Sequence, residues 1–366
     1  MKKLAFLFFL MIVCSLNGSS QKWSYFLNGK GVNDITEDKN GNIWVTTYEN
    51  GACQITGNDV KEFNEKNGIS YSDLKAVFID SKNRVWIGAG KTGITADGKG
   101  ICIYDGVKWK YYTEKDGLTS NAVFSFFEDS KGRMWCGTAK GICVLNGEKW
   151  ATMDEVTPAR FTAPKFFEDS EKNIWFIYED GIFKYNNKEV TTFDENSGLP
   201  IKPTLFWTKD KEGVYWFGHV RRHFSKYSGG KFETFDVGNF KAGALWLFKG
   251  AYLYEPVFVF VDSKDLLWIA AQGAGGGLFT LKNDELTQLS EEVGILKPER
   301  INGICEDKKG NIWFSNLYKV ANRFDGTKWY QYTPPELPHQ QVNKIFIDSK
   351  GSVWFGTHKG LAKLEL

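Results

Sequence analysis

One short motif recurs eight times along the chain, and that periodicity limits the fold more than any other feature. Tryptophan falls at Trp44, Trp86, Trp135, Trp175, Trp216, Trp268, Trp313 and Trp354. Six residues before each stands an aspartate: Asp38, Asp80, Asp129, Asp169, Asp210, Asp262, Asp307 and Asp348. Three residues after the aspartate come Gly41, Asn83, Gly132, Gly213, Asp265, Gly310 and Gly351, and only Lys172 breaks the column. Gly, Asn and Asp tolerate positive φ, so this column marks a left-handed residue in a tight hairpin turn. The aspartate is placed to accept backbone N–H groups of that turn. A single copy such as "EDSKGRMWCGT" mixes Asp, Ser and Gly as calcium loops do. Eight copies, each with one carboxylate and a lysine-rich turn, read as scaffold, and no metal or other cofactor is expected.

An apolar stretch precedes each turn ("VFSFFED", "KIFID") and another follows it ("IWVTT", "VWIGA", "VWFGT"). A glycine then opens a third stretch ("GICIY", "GICVL", "GLAKL"), and most copies continue into a fourth ("KWKYYT", "KFETF", "KWYQYT"). Four short strands every 40 to 52 residues describe a propeller blade. The residues after these tryptophans are Val, Ile, Cys or Phe, which disfavours the WD version of the repeat. The eighth copy stops after its third strand at Leu366, while "KWSYFL" at residues 22–27 is a fourth strand with no blade of its own. The expected fold is all-β: an eight-bladed β-propeller of four-stranded antiparallel blades, closed by the N-terminal strand and filling residues 21–366 as one domain.

Residues 1–20 differ from the rest. Lys2 and Lys3 precede the apolar run Leu4 to Val13, and Gly18, Ser19 and Ser20 offer a small-residue cleavage point. That is the layout of a secretory signal, too short to persist as a membrane span. A lipoprotein at Cys14 ranks second, because Val13 stands where that signal prefers a small side chain. Loss of Lys2 and Lys3 leaves 44 basic against 44 acidic residues. Such a neutral balance gives no long-range attraction for nucleic acid or an anionic membrane. The expectation is a periplasmic or secreted monomer. Cys53, Cys102, Cys136, Cys143 and Cys305 remain, an odd number without paired spacing, and buried thiols are the expectation. Cys136 and Cys143 are the pair that strand pairing would bring face to face.

The pattern I-x-x-x-D-x-x-G-x-[IL]-W-[IVF]-G-T-x-x-G-[IL] resembles the two-component regulator propeller repeat, and it runs through essentially the whole mature sequence. The resemblance implies a periplasmic sensor-type propeller, of the kind that in hybrid histidine kinases recognises polysaccharide breakdown products. Because the eighth copy closes the sequence, the expectation is a stand-alone version. The family has no fixed ligand motif, so a site must be read from the places where the repeats break.

Loops between second and third strands share one end of the ring with the blade-to-blade connections. In the fifth copy, "WFGHVRRHFSKY", the loop is one residue longer and carries His219, Arg221, Arg222 and His223. The next connection, about 237–255, reads as an extra hairpin and places Trp246 and Tyr252 nearby. Tyr48, Arg160 and Tyr178 are expected at the same end, around the channel mouth. Aromatic faces beside guanidinium groups suit a carbohydrate, while a solvated basic loop is the plainer interpretation. "GAGKT" at 88–92 resembles a phosphate loop, but Val85 occupies the position of its first glycine, and no helix is expected to follow.

Three functions compete. The leading one is a non-catalytic exported module that binds or senses an oligosaccharide or similar small ligand. The second is a scaffold that binds a protein partner through the 237–255 hairpin. The third is a polysaccharide lyase, with the histidines as base and the arginines facing a uronate carboxylate.

Overall fold

A computed structural model describes residues 21–69, 73–90, 98–153, 164–178, 181–200, 204–220, 223–237, 257–271, 277–283, 285–289, 301–316 and 321–366. Each repeat forms one sheet because its turn and its alternating apolar residues agree on strand length and register. The result is eight four-stranded antiparallel sheets. Their inner strands are Val32–Glu37, Leu74–Ile79, Val123–Glu128, Lys165–Glu168, Thr204–Lys209, Val257–Val261, Ile301–Glu306 and Val342–Ile347. Blades 1 to 8 are numbered in that order. Blade 8 takes its outer strand from the other end of the chain. Lys22–Phe26 runs antiparallel to Gly360–Glu365, with Lys22 opposite Glu365 and Phe26 opposite Leu361. Trp23 then packs its ring on Tyr332 of blade 7 and Phe355 of blade 8, at 5.8 and 5.7 Å.

The repeat aspartate does more than hold a turn. Asp129 Oδ1 accepts the backbone N–H of Lys131 at 3.0 Å and of Arg133 at 2.9 Å. Its Oδ2 accepts the Trp135 indole at 2.9 Å. The same indole bond, 2.8 to 3.0 Å long, recurs in every blade. A buried indole N–H needs a partner, and the six-residue spacing supplies it. These carboxylates are therefore spent on N–H donors. The turn column has positive φ throughout, including Lys172 at 68°, so the blade imposes that backbone even without glycine.

Adjacent blades are latched at this same end. Ser81 donates through its backbone N–H and hydroxyl to Glu128, and Ser130 does so to Glu168. Ser263 does so to Glu306, and Ser349 to Glu37 across the closure. Between sheets the core is apolar and largely aromatic, with Trp44, Trp86, Trp135, Trp175 and Trp313 almost fully buried. No helix among the described residues is long and apolar enough to cross a membrane.

Candidate functional site at the connection face

Turns hold one end of the ring, so the variable loops gather at the other. In six blades a β-bulge interrupts the inner strand on its way in from that end, between Val32 and Asp34, Leu74 and Ala76, Val123 and Ser125, Thr204 and Phe206, Ile301 and Gly303, and Val342 and Lys344. A bulge re-aims the extra side chain. Asn343 uses it to bond the Val32 carbonyl at 2.9 Å, and Asn33 to bond that of Leu74 at 2.7 Å.

Above these bulges, blades 8, 1 and 2 build a polar and aromatic cluster. Tyr48 lies over Gly31, whose hydrogen leaves room for the ring: a Cβ there would stand 2.5 Å from Tyr48 Cδ2. The Tyr48 ring faces His358 at 5.5 Å, and His358 faces His339 at 5.8 Å. His339 Nδ1 accepts the Gln341 backbone N–H at 3.1 Å, which places the proton of its neutral form on Nε2. Burial, Lys359 and His358 all lower its pKa, so this ring is neutral at neutral pH. Lys75 holds its ammonium 5.1 Å over the Tyr48 ring and 2.9 Å from Asp73. Burial and the Asp73 charge raise the Tyr48 phenol, keeping it a hydrogen-bond donor. His358 is exposed, while Tyr48 and His339 are half-buried. The arrangement offers ring faces, an imidazole N–H and a phenol O–H to one small volume.

Deeper in, the residues four before each repeat aspartate form one level of the inner strands: Asp34, Ala76, Ser125, Lys165, Phe206, Phe258, Gly303 and Lys344. Lys344 reaches Asp34 at 2.8 Å, and that charge raises its pKa against the pull of burial. Lys165 stands 5.2 Å from the Phe206 ring centre, and Phe206 stacks on Phe258 at 3.6 Å.

The sequence-derived candidates divide. Tyr48 belongs to the cluster. His219 does not lie in an exposed loop: it ends strand Tyr215–His219, is 1% exposed, and spends both ring nitrogens internally. Nδ1 meets Thr204 Oγ1 at 2.9 Å, and Nε2 meets Ser225 Oγ at 2.8 Å. Burial lowers its pKa to about 3, and the His223 charge adds to that. His219 is a structural, neutral histidine. His223 opens the next strand, half-buried. Tyr178 is also enclosed, at 2% exposure, instead of lining the mouth. Arg160, Arg221, Arg222, Trp246 and Tyr252 lie outside the described residues, as does most of the 237–255 hairpin. Cys136 and Cys143 do face each other in register, and both thiols are free and buried.

His339, His358, Lys75, Asp73, Asp34, Lys165 and Lys344 were missed by the sequence reading. A signal existed for some of them. Two of the chain's four histidines fall in the connection into blade 8 and its second loop, and the column four before the repeat aspartate is countable. A groove of about 510 Å³ opens between blades 5 and 6 near the turns. Its Asp210 accepts the Trp216 indole and its Lys226 pairs with Glu233.

Comparison with known proteins agrees with this architecture. The family described as "Two component regulator propeller" matches at residues 27–49, 117–140, 295–318 and 336–359. No curated protein matches the chain. Among solved structures, the extracellular domain described as part of the hybrid two-component system BT3049 of B. thetaiotaomicron is 21% identical with a TM-score of 0.54. The alignment covers 91% of this chain and 51% of that one, so the protein spans about half its length. A streptogramin B lyase is 16% identical with a TM-score of 0.57, covering 94% of this chain and 98% of that one. PorZ of Porphyromonas gingivalis, titled a surface component of the type-IX secretion system, is 14% identical with a TM-score of 0.54, covering 91% and 52%. At these identities the likeness is one of fold. With eight tryptophan-bonded blades in register and the family's model matching four stretches within them, the chain carries repeats of the two-component regulator propeller type.

Proposed function

We propose that the protein is an exported, non-catalytic binding or sensing module that takes an oligosaccharide or similar small ligand at the connection face. The observation that carries this reading is the cluster of Tyr48, His339 and His358 over the inner-strand bulges. It joins ring faces for a sugar's C–H surface to O–H and N–H donors for its hydroxyls. Arg221 and Arg222, between the strands Tyr215–His219 and His223–Ser228 in the sequence, are proposed as its extension. The sensor-domain neighbour supports the compartment and the sensing role. A glycan array probed with the wild type and with Tyr48→Ala/His358→Ala tests the reading. More than tenfold weaker binding in the double variant is expected, with Lys140→Ala on blade 3 unaffected. Equal binding in all three would contradict it.

A lyase reading draws on one observation, the neutral His339 and the Tyr48 phenol on either side of His358, a base and a phenol within one cluster. Incubation with acidic polysaccharides separates the two, since a lyase leaves new unsaturated ends and a binder leaves none. A scaffold role through residues 237–255 would show as a partner captured by the intact protein and lost on deletion of that segment.

A further inference from the structure

Three charged residues occupy the level four before the repeat aspartates, in a ring otherwise lined there by Ala76, Ser125, Phe206, Phe258 and Gly303. Their charges do not balance. Asp34 accepts from the Ile35 backbone at 3.0 Å and is paired with Lys344 at 2.8 Å. Lys165 takes part in no ion pair among the described residues, yet the sequence places it in blade 4, opposite blade 8 around the ring. Its side chain is open to solvent. Burial and the Lys344 ammonium push its pKa down, and only Asp34 pulls the other way. The Phe206 ring holds it by a cation–π contact at 5.2 Å and is backed by Phe258. An ammonium so held, at the same level of the inner strands as a second ammonium, lacks one thing: an anion beside it.

We propose that the interior of the ring carries an oxyanion subsite in which Lys165 supplies the unpaired charge and Lys344 the second. It takes the carboxylate, sulfate or phosphate of a ligand entering from the connection face, and so rests on the reading of that face given above. Phe206 is a positioning residue for the Lys165 ammonium. Asp34 competes with the ligand for Lys344.

Calorimetric titration of the mature chain with sodium glucuronate, against glucose and sodium sulfate at matched ionic strength, tests this. Glucuronate should bind at least tenfold more tightly than glucose. Lys165→Met should weaken glucuronate more than tenfold, and Phe206→Leu several-fold. Asp34→Asn should tighten it several-fold by releasing Lys344, a gain that loss of packing would not produce. Melting curves of each variant report whether the ring remains closed. Glucuronate binding more tightly than sulfate assigns the subsite to a sugar acid; equal binding assigns it to a simple oxyanion. Unchanged affinity in Lys165→Met, or no binding of either anion, overturns the subsite. If Tyr48→Ala abolishes binding while Lys165→Met does not, the subsite fails and the mouth reading stands. The reverse result separates them the other way.

Discussion

The indole N–H of Trp135 donates to the carboxylate of Asp129 at 2.9 Å, and this bond ties a blade's turn to its hydrophobic core. Burial would raise the Asp129 pKa, but bonds from Trp135 and Arg133 outweigh it and hold the carboxyl below its usual range. Asp129→Asn puts an amide where two classes of N–H converge. A loss of about 2 kcal/mol in urea unfolding is expected, from one donor left buried without a partner. Calcium should shift the melting of neither protein. Because the folded pKa is depressed, the carboxylate's contribution is full above the unfolded value of about 3.9 and fades as pH falls through the lower folded value. Acid titration of the two proteins should converge there.

Lys172 holds a φ of 68° that its seven counterparts fill with Gly, Asn or Asp. A side chain with a Cβ pays about 1 kcal/mol there. Lys172→Gly should therefore raise stability by about that amount, the opposite of a typical glycine substitution. A fall in melting temperature would show that the Lys172 side chain contributes more than its backbone costs.

Strand Lys22–Phe26 closes the ring through five registered pairs with Gly360–Glu365. Removing residues 21–30 exposes a strand edge and the rings that pack on Trp23, inviting edge-to-edge association. Soluble yield and melting temperature should both fall sharply. Trp23→Ala, which keeps the strand, should cost about 3 kcal/mol. A truncated protein that melts like the intact one would contradict the closure.

His219 is neutral when folded, with a pKa lowered to about 3. In the unfolded chain it takes up a proton below about pH 6.5. The unfolded state then binds more protons, so stability contributed by the neutral ring is lost as pH falls from about 6.5 toward 3. Between pH 7 and 5, wild type should lose about 2 kcal/mol more than His219→Gln in urea titrations. Parallel losses would mean that His219 titrates normally.

The blades were legible because one physical need, a turn residue with positive φ, repeats beside one large core residue. The ring closure followed from counting strands. The indole bond was within reach too, since Asp and Trp keep a constant six-residue spacing, but spacing alone shows proximity and not a donor aimed at an oxygen. The site was harder to read. His219 stood out as loop chemistry, yet in space it completes a hydroxyl network with Thr204 and Ser225. Tyr48, His339 and His358 come from opposite ends of the sequence and meet only because the ring closes. Asp34 and Lys344 share that history: their ion pair spans the join between the first blade and the last.

Four histidines make the central claim directly measurable. Imidazole ¹H–¹⁵N or ¹H–¹³C spectra of the labelled protein, titrated with oligogalacturonides, report on His219, His223, His339 and His358 separately. If the mouth of blades 8 and 1 is the binding site, His339 and His358 should shift in a saturable manner while His219 stays fixed. Shifts confined to His223, or none at any histidine while calorimetry shows binding, would place the ligand elsewhere.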